Sequence, residues 1–291
     1  MKFTLSTFFC LFFLTHGILF AQDENIEVPD TLSGWDKSWD IHLRGTQASY
    51  SNWSQGGTNN IAASARTVFT AMKAKNRFSY AFQIDSRYGG ARLSEQGLRK
   101  TDDRLAITNR FLYDIEDDDS EFKLFTNLTF RTQFDKGFDY GGGEDGEDRL
   151  ISRFMAPAYF GQNAGLAYEP GNHFSVEAGL GLQQKYLRDS ALAPVYNLEP
   201  GQNLRSEAGF TFATKFEAEI ARNVDFLATV NTFTNMKTTI RSTDVFITHK
   251  INGKINDNMN ASFNLELIYD DDFSKEVQVA QVISLGLTYS I

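Results

Sequence analysis

Cysteine is almost absent from this chain: Cys10 is the only one. No disulfide framework and no paired-cysteine metal or redox chemistry can be built from it. Prolines number five and histidines four. Lys and Arg total 28 against 37 Asp and Glu, a formal net charge of −9. The basic footprint of a nucleic-acid binder is missing, so no nucleic acid is expected as a partner. Beyond the first twenty or so residues no apolar run is long enough to cross a bilayer as a helix, which excludes a polytopic helical membrane protein. What is plentiful is 26 Phe, 11 Tyr and 22 Gly. That mixture favours strands joined by turns.

The first residues have the layout of an export signal. Lys2 is followed by a largely apolar stretch from Phe3 to Phe20, and Leu19-Phe20-Ala21 offers a cleavage site. Residues 1–21 are therefore expected to be a signal peptide, with Gln22 as the new N-terminus. The run is short for a retained span and ends in a small residue. Cys10 lies inside it, which disfavours a lipid-anchored form. Residues 22–36 are acidic, contain Pro29 and show no periodicity. They are expected to be a flexible periplasmic tail.

From Lys37 onward apolar residues recur at every second position, the signature of strands. Val279, Ile283, Leu285, Leu287, Tyr289 and Ile291 share one face, interrupted by Gln281, while Ala280, Val282, Ser284, Gly286, Thr288 and Ser290 share the other. Phe122, Leu124, Leu128 and Phe130 oppose Lys123, Asn127, Thr129 and Arg131 in the same way. The spacing predicts strands over 37–50, 59–72, 76–88, 101–115, 121–135, 151–168, 173–187, 203–221, 223–234, 243–256, 259–270 and 279–291. Most exceed the length usual in soluble sheets and fit tilted membrane strands. Short turns alternate with longer loops at 51–58, 89–100, 136–150, 188–202, 235–242 and 271–278. The expectation is an all-β fold: a closed antiparallel transmembrane β-barrel of about twelve strands over 37–291, with both termini periplasmic, in the outer membrane of a Gram-negative bacterium. A soluble β-sandwich is the rival. Trp39, Tyr80, Tyr88, Tyr113, Tyr168 and Tyr186 sit near strand ends, where an interfacial girdle would use them.

Between the first two strands lies Ser51-Asn52-Trp53-Ser54-Gln55-Gly56-Gly57-Thr58-Asn59. Gly56 and Gly57 permit a tight return, and Asn52 and Asn59 can bond nearby backbone. Trp53 belongs either to a girdle or to a constriction, so the segment reads as a structural turn or as a ligand contact. The segment resembles the N-W-x-x-G-G-x-N signature of a Bacteroidetes-type outer-membrane β-barrel family of unknown function. That resemblance implies architecture and location, with contact to outer-membrane lipid and handling by the barrel assembly machinery. It implies no activity.

The residues offer little chemistry. His42, His173 and His249 have no nucleophile in a G-x-S-x-G setting beside them. Asp139, Glu144, Asp145, Glu147 and Asp148 crowd one loop without the spacing of a calcium-binding hand, so that loop is expected to be flexible and solvated. No catalytic residue, metal or cofactor is expected. The lumen says more. Arg44, Arg66, Arg87, Arg110 and Arg131 have inward parity, one from each of the first five strands. Glu177, Glu217, Glu219 and Glu266 are the inward carboxylates of later strands. Charges inside a barrel must be hydrated or paired. Two readings follow: a narrow polar channel for small anionic or zwitterionic solutes, or a structural component whose lumen is salt-bridged shut. An intramembrane lipid or ester hydrolase is the remaining alternative.

Overall fold

The structure, a computed structural model, describes residues 26, 28–29, 32–48, 60–93, 97–117, 120–143, 146–237, 243–270 and 274–290. Its strands are β1 (Gly34–Ala48), β2 (Asn60–Lys75), β3 (Phe78–Leu93), β4 (Gly97–Asp114), β5 (Phe122–Thr132), the short β6 (Gly137–Asp139) and β7 (Arg149–Ser152), then β8 (Ala158–Tyr168), β9 (Phe174–Tyr186), β10 (Leu204–Ala221), β11 (Val224–Asn235), β12 (Thr243–Lys254), β13 (Met259–Asp270) and β14 (Ser274–Ser290). Twelve of them close into an antiparallel barrel in chain order, with β14 returning to β1, and β6 and β7 form a separate two-stranded sheet. Closure pairs Asp40–Leu43 with Ser290–Leu287. A closed sheet has no edge, so its backbone groups are paired without help from solvent.

Turn chemistry explains one end of the barrel. Asn76-Arg77 and Arg222-Asn223 are two-residue turns, and Asn76 and Asn223 take left-handed backbone angles (φ 52° and 63°). Asparagine tolerates that region better than most residues. This short-turn end also carries the start of β1 and the end of β14. The other end carries the longer connections.

Alternation settles the two faces. Leu43, Ile61, Leu124, Leu166, Leu180, Phe212, Ile283 and Leu285 are all exposed on the outer surface. A belt of aromatics rings the short-turn end: Phe78 stands opposite Tyr113, Phe122 opposite Tyr168, and Phe174 opposite Phe216. Trp35 joins it on β1, with the Lys73 ammonium 5.2 Å from its ring. The Tyr and Trp members, whose rings carry a polar group, suit the boundary between hydrocarbon and water.

Across β8, β9 and β10 the inner wall is made of small residues. Gly165 stands opposite Gly179. A methyl on either would collide with the neighbouring strand's backbone, at Ala178 O or Ala164 O. Phe233, 2% exposed, lays its ring over Gly181 and Gly209.

Several boundaries differ from the sequence expectation, among them the start of β14 at Ser274 rather than residue 279. β1 begins at Gly34 rather than residue 37. β3 and β4 run on to Leu93 and from Gly97, absorbing most of the loop expected at 89–100. The strand expected over 151–168 is broken, because Arg153 to Pro157 form a tight turn with a cis Ala156-Pro157 bond.

Gly165→Ala is expected to lower stability by about 1–3 kcal/mol, the usual cost of forcing extra volume into a packed site. Urea midpoints of the folded barrel in detergent measure it. Gly45→Ala, whose nearest contact would lie at 3.9 Å, should leave the midpoint unchanged.

Candidate functional site

Five strands raise arginines into the lumen at nearly one level. Arg66 is the register partner of Arg87, and Arg87 of Arg104. Arg44 lies two residues along β1 from His42, the partner of Arg66, and Arg131 on β5 stands opposite Ala106. Neighbouring strands are about 4.8 Å apart, so the five form a lateral arc over β1 to β5. Asp85 is set into it. Arg66 donates to both its oxygens, at 2.9 and 3.0 Å, and Arg87 Nε lies 3.9 Å away. The Arg131 guanidinium lies 4.8 Å from the Tyr159 ring centre.

The arc borders a cavity of about 390 Å³. Arg44, Arg66, Arg87 and Arg104 line one side; Thr248, Ser262, Asn264 and Ser284 line the other. With Lys250 the cavity has five cationic side chains against the three carboxylates of Asp85, Asp102 and Glu266. Guanidinium groups stay charged at any working pH, so the positive excess is permanent.

The arc corrects the sequence reading at one position. Arg110, six residues further along β4 than Arg104, belongs to a different level, about 20 Å further along the strand. There it is 1% exposed, 2.6 Å from Glu177 and 2.9 Å from Glu169, and it donates to Asn127 Oδ1 at 3.2 Å. Lys123 lies 3.5 Å from Asp114 and 3.6 Å from Glu169. Of the four glutamates expected opposite the arginines, Glu266 reaches the cavity and Glu177 braces Arg110. Glu217 pairs with Lys215 at 2.7 Å, and Glu219 caps the β10–β11 turn by accepting from Asn223 N–H at 3.0 Å. Both belong to the short-turn rim. Arg104 and Asp85, missed from sequence, are the residues that complete the arc.

Both ends of the lumen carry chain. At the long-loop end, β6 and β7 pair beneath a 3-10 turn at Ser190–Tyr196, around a small core of Ala156, Leu187, Leu192, Ala193, Tyr196 and Leu198. Tyr196 donates its hydroxyl to Ile151 O at 2.7 Å, and burial pushes that phenol's pKa up. Arg149 pairs with Asp139 at 2.7 Å. The Lys136 backbone N–H and the Tyr88 hydroxyl hold the Asp135 carboxyl below its ordinary range. The described part of the loop expected to be flexible thus holds a paired two-stranded sheet. At the short-turn end, Ile26 is buried and Val28 packs on the inward side chains of Leu112, Phe125 and Ala167. These two residues of the expected tail lie against the barrel.

Asn52, Trp53, Gly56, Gly57 and Asn59 lie outside the described residues, as do Glu144 and Asp145. Among the described residues no His, Cys, Asp and Glu grouping could hold a metal ion. His42 faces the lumen beside Arg66, His173 sits in the β8–β9 turn, and His249 stacks on Phe226 on the outer face, so the three are dispersed.

Arg110→Ala should cost about 3–5 kcal/mol in barrel stability, because it removes the buried partner of Glu177 and leaves Glu169 with Lys123 alone; urea titration reads it. Tyr196→Phe should cost about 1 kcal/mol or somewhat more by orphaning Ile151 O. It should show as faster amide exchange over 187–198 with the barrel strands unchanged.

No curated protein sequence matches the chain. Among solved structures, the translocator domain of the autotransporter NalP from Neisseria meningitidis is similar at 12% identity, with 92% of this chain and 90% of that one covered and a TM-score of 0.42. The KdgM porin in complex with disordered oligogalacturonate gives 9%, 87%, 99% and 0.38, and the NanC porin 7%, 86%, 97% and 0.39. Residues 46–138 resemble a family of proteins of unknown function, DUF3078, and residues 160–291 resemble a second, DUF481.

Proposed function

We propose that this chain is a non-enzymatic outer-membrane barrel that passes small anions through its lumen. The apolar outer face and aromatic belt support membrane insertion, and closure removes the backbone edge that hydrocarbon would not tolerate. The short-turn end faces the periplasm in this reading, as it does in outer-membrane barrels generally. The single observation that carries anion preference is the row of Arg44, Arg66, Arg87 and Arg104 on one side of the cavity, facing Thr248, Ser262, Asn264 and Ser284 among apolar side chains, with Lys250 adding to the cationic excess. Fixed charge on one wall of a narrow low-dielectric tube concentrates counter-ions and repels like ions. A hydroxyl-bearing anion, or a zwitterion with its carboxylate toward the arc, suits both walls. The second reading, a closed structural barrel, is favoured by the Arg110–Glu169–Glu177 brace and by the chain at both mouths. Outer-membrane lipid and the barrel assembly machinery are the partners either reading needs.

Purified protein in planar bilayers under a tenfold salt gradient separates the two. The anion reading expects a reversal potential displaced toward that of chloride, and a displacement close to zero in an Arg66→Ala, Arg87→Ala, Arg104→Ala triple variant. Cation preference in the unmodified protein would sink it. Absence of conductance under every condition would leave the closed barrel standing.

A further inference from the structure

On the short-turn half of the outer face, the described strand residues include no Asp, Glu or Arg, yet they include three lysines: Lys37, Lys73 and Lys75. All three belong to β1 and β2, so the charge is confined to one side of the ring. The register gives their orientation. Lys73 is the partner of Trp35; Lys37 shares the parity of Trp35 and of the exposed Leu43, and Lys75 that of Lys73. At the backbone Lys73 is about 7 Å from Lys75 and about 8 Å from Lys37. Two of the ammonium groups converge on one ring: Lys73 Nζ lies 5.2 Å and Lys37 Nζ 5.8 Å from the Trp35 centre.

Like charges held this closely repel, and the sheet supplies nothing to offset them. Among the described residues none of the three lysines has a hydrogen bond or an ion pair. Other polar groups on the same face behave differently. Trp39 gives its indole N–H to Thr67 Oγ1 at 2.6 Å, and Tyr80 gives its hydroxyl to Asn109 Oδ1 at 2.8 Å. Those groups are satisfied within the wall, as hydrocarbon requires. The lysines are not, so their counter-charge comes from outside the chain. Their long stems can lie on apolar surface while the ammonium groups reach the headgroup layer, where phosphates are the available anions.

We propose that the β1–β2 face of the short-turn rim is a binding site for an anionic glycerophospholipid. The phosphodiester lies between the Lys37 and Lys73 ammonium groups beside Trp35, with Lys75 adding to the field, and the acyl chains rise over Trp39 and Phe69. A zwitterionic headgroup would bring a fourth cation to the other three, so the site discriminates against it. The inference rests on the outer face being the membrane surface, as proposed above, and is independent of what the lumen passes. In the orientation proposed above, the lipid belongs to the periplasmic leaflet.

Native mass spectrometry of the folded, exported protein in an uncharged detergent tests it, with phosphatidylglycerol titrated against phosphatidylcholine of the same chains. One phosphatidylglycerol should bind about tenfold or more tighter than phosphatidylcholine. A Lys37→Gln, Lys73→Gln, Lys75→Gln triple variant should bring the two affinities together. Lys254→Gln, at the same rim but with its ammonium 2.8 Å from Asp257, should keep the preference. Heat-modifiable migration checks that each protein is folded; if the triple variant is not, the Lys37→Gln, Lys73→Gln pair replaces it, and the lipid comparison on the unmodified protein still decides. Equal affinity for the two lipids in the unmodified protein, or a preference that survives in the triple variant, overturns the site. Flotation with phosphatidylcholine vesicles reports the membrane reading separately: protein that inserts without a lipid preference loses this site alone, whereas protein that does not insert removes the membrane reading with it.

Discussion

Everything in this molecule follows from one demand, that each strand's backbone N–H and C=O find a partner on the next strand. A twelve-strand ring answers it without leaving an edge. The answer is not uniform around the ring. β1 is paired with β2 along its whole length, Gly34 with Ala74 through Ala48 with Asn60, whereas its described pairing with β14 covers only Asp40 to Leu43. The seam is the thinnest part of the ladder, and it is formed by the first and last strands of the chain.

Closure then dictates where charge can go. With hydrocarbon-compatible side chains outside, every arginine and glutamate of the wall is directed to the lumen or to a rim. The lumen handles them in two ways. Near the short-turn end Arg110 is enclosed by two glutamates and an asparagine, and Lys123 by Asp114 and Glu169, an arrangement that fills space. Higher up, guanidinium groups on consecutive strands share one flanking aspartate and face hydroxyls and amides across a cavity. The first is a brace and the second is a field. A single barrel can combine them because they lie at different levels and the Arg110 charge is neutralised where it stands by Glu169 and Glu177.

Alternation made the wall legible in sequence. It has a period of two over many residues, and the strands, faces and inward arginines at 44, 66, 87, 110 and 131 all follow from it. Level along the axis is not encoded in that period. Arg104 and Arg110 have the same parity on β4, and only the observed pairing of Arg87 with Arg104 shows which one joins the arc. The small two-stranded sheet was illegible for a different reason. β6 and β7 have three and four residues, too few to show any period, and their core is assembled from side chains far apart in sequence. Val28 is one of a few apolar residues in an acidic stretch, and its meaning lies in an inner patch that is visible only once β4, β5 and β8 are side by side.

The Asp85 bridge also bears on how the wall is assembled. In–out alternation specifies pairing only to the nearest even number: a hairpin that slipped by two residues would still put its greasy side outward. Such an error would be invisible to the hydrophobic effect. It would not be invisible to Asp85, which in the observed alignment stands within reach of Arg66 on the neighbouring strand and Arg87 on its own. A slip that set Thr70 opposite Asp85 would carry Arg66 four residues away and leave the carboxylate without its bidentate clamp, whereas the opposite slip would keep Arg66 beside it. The charges that give the lumen its polarity thus also weigh on alignment, in one direction of slip, where greasiness alone is indifferent.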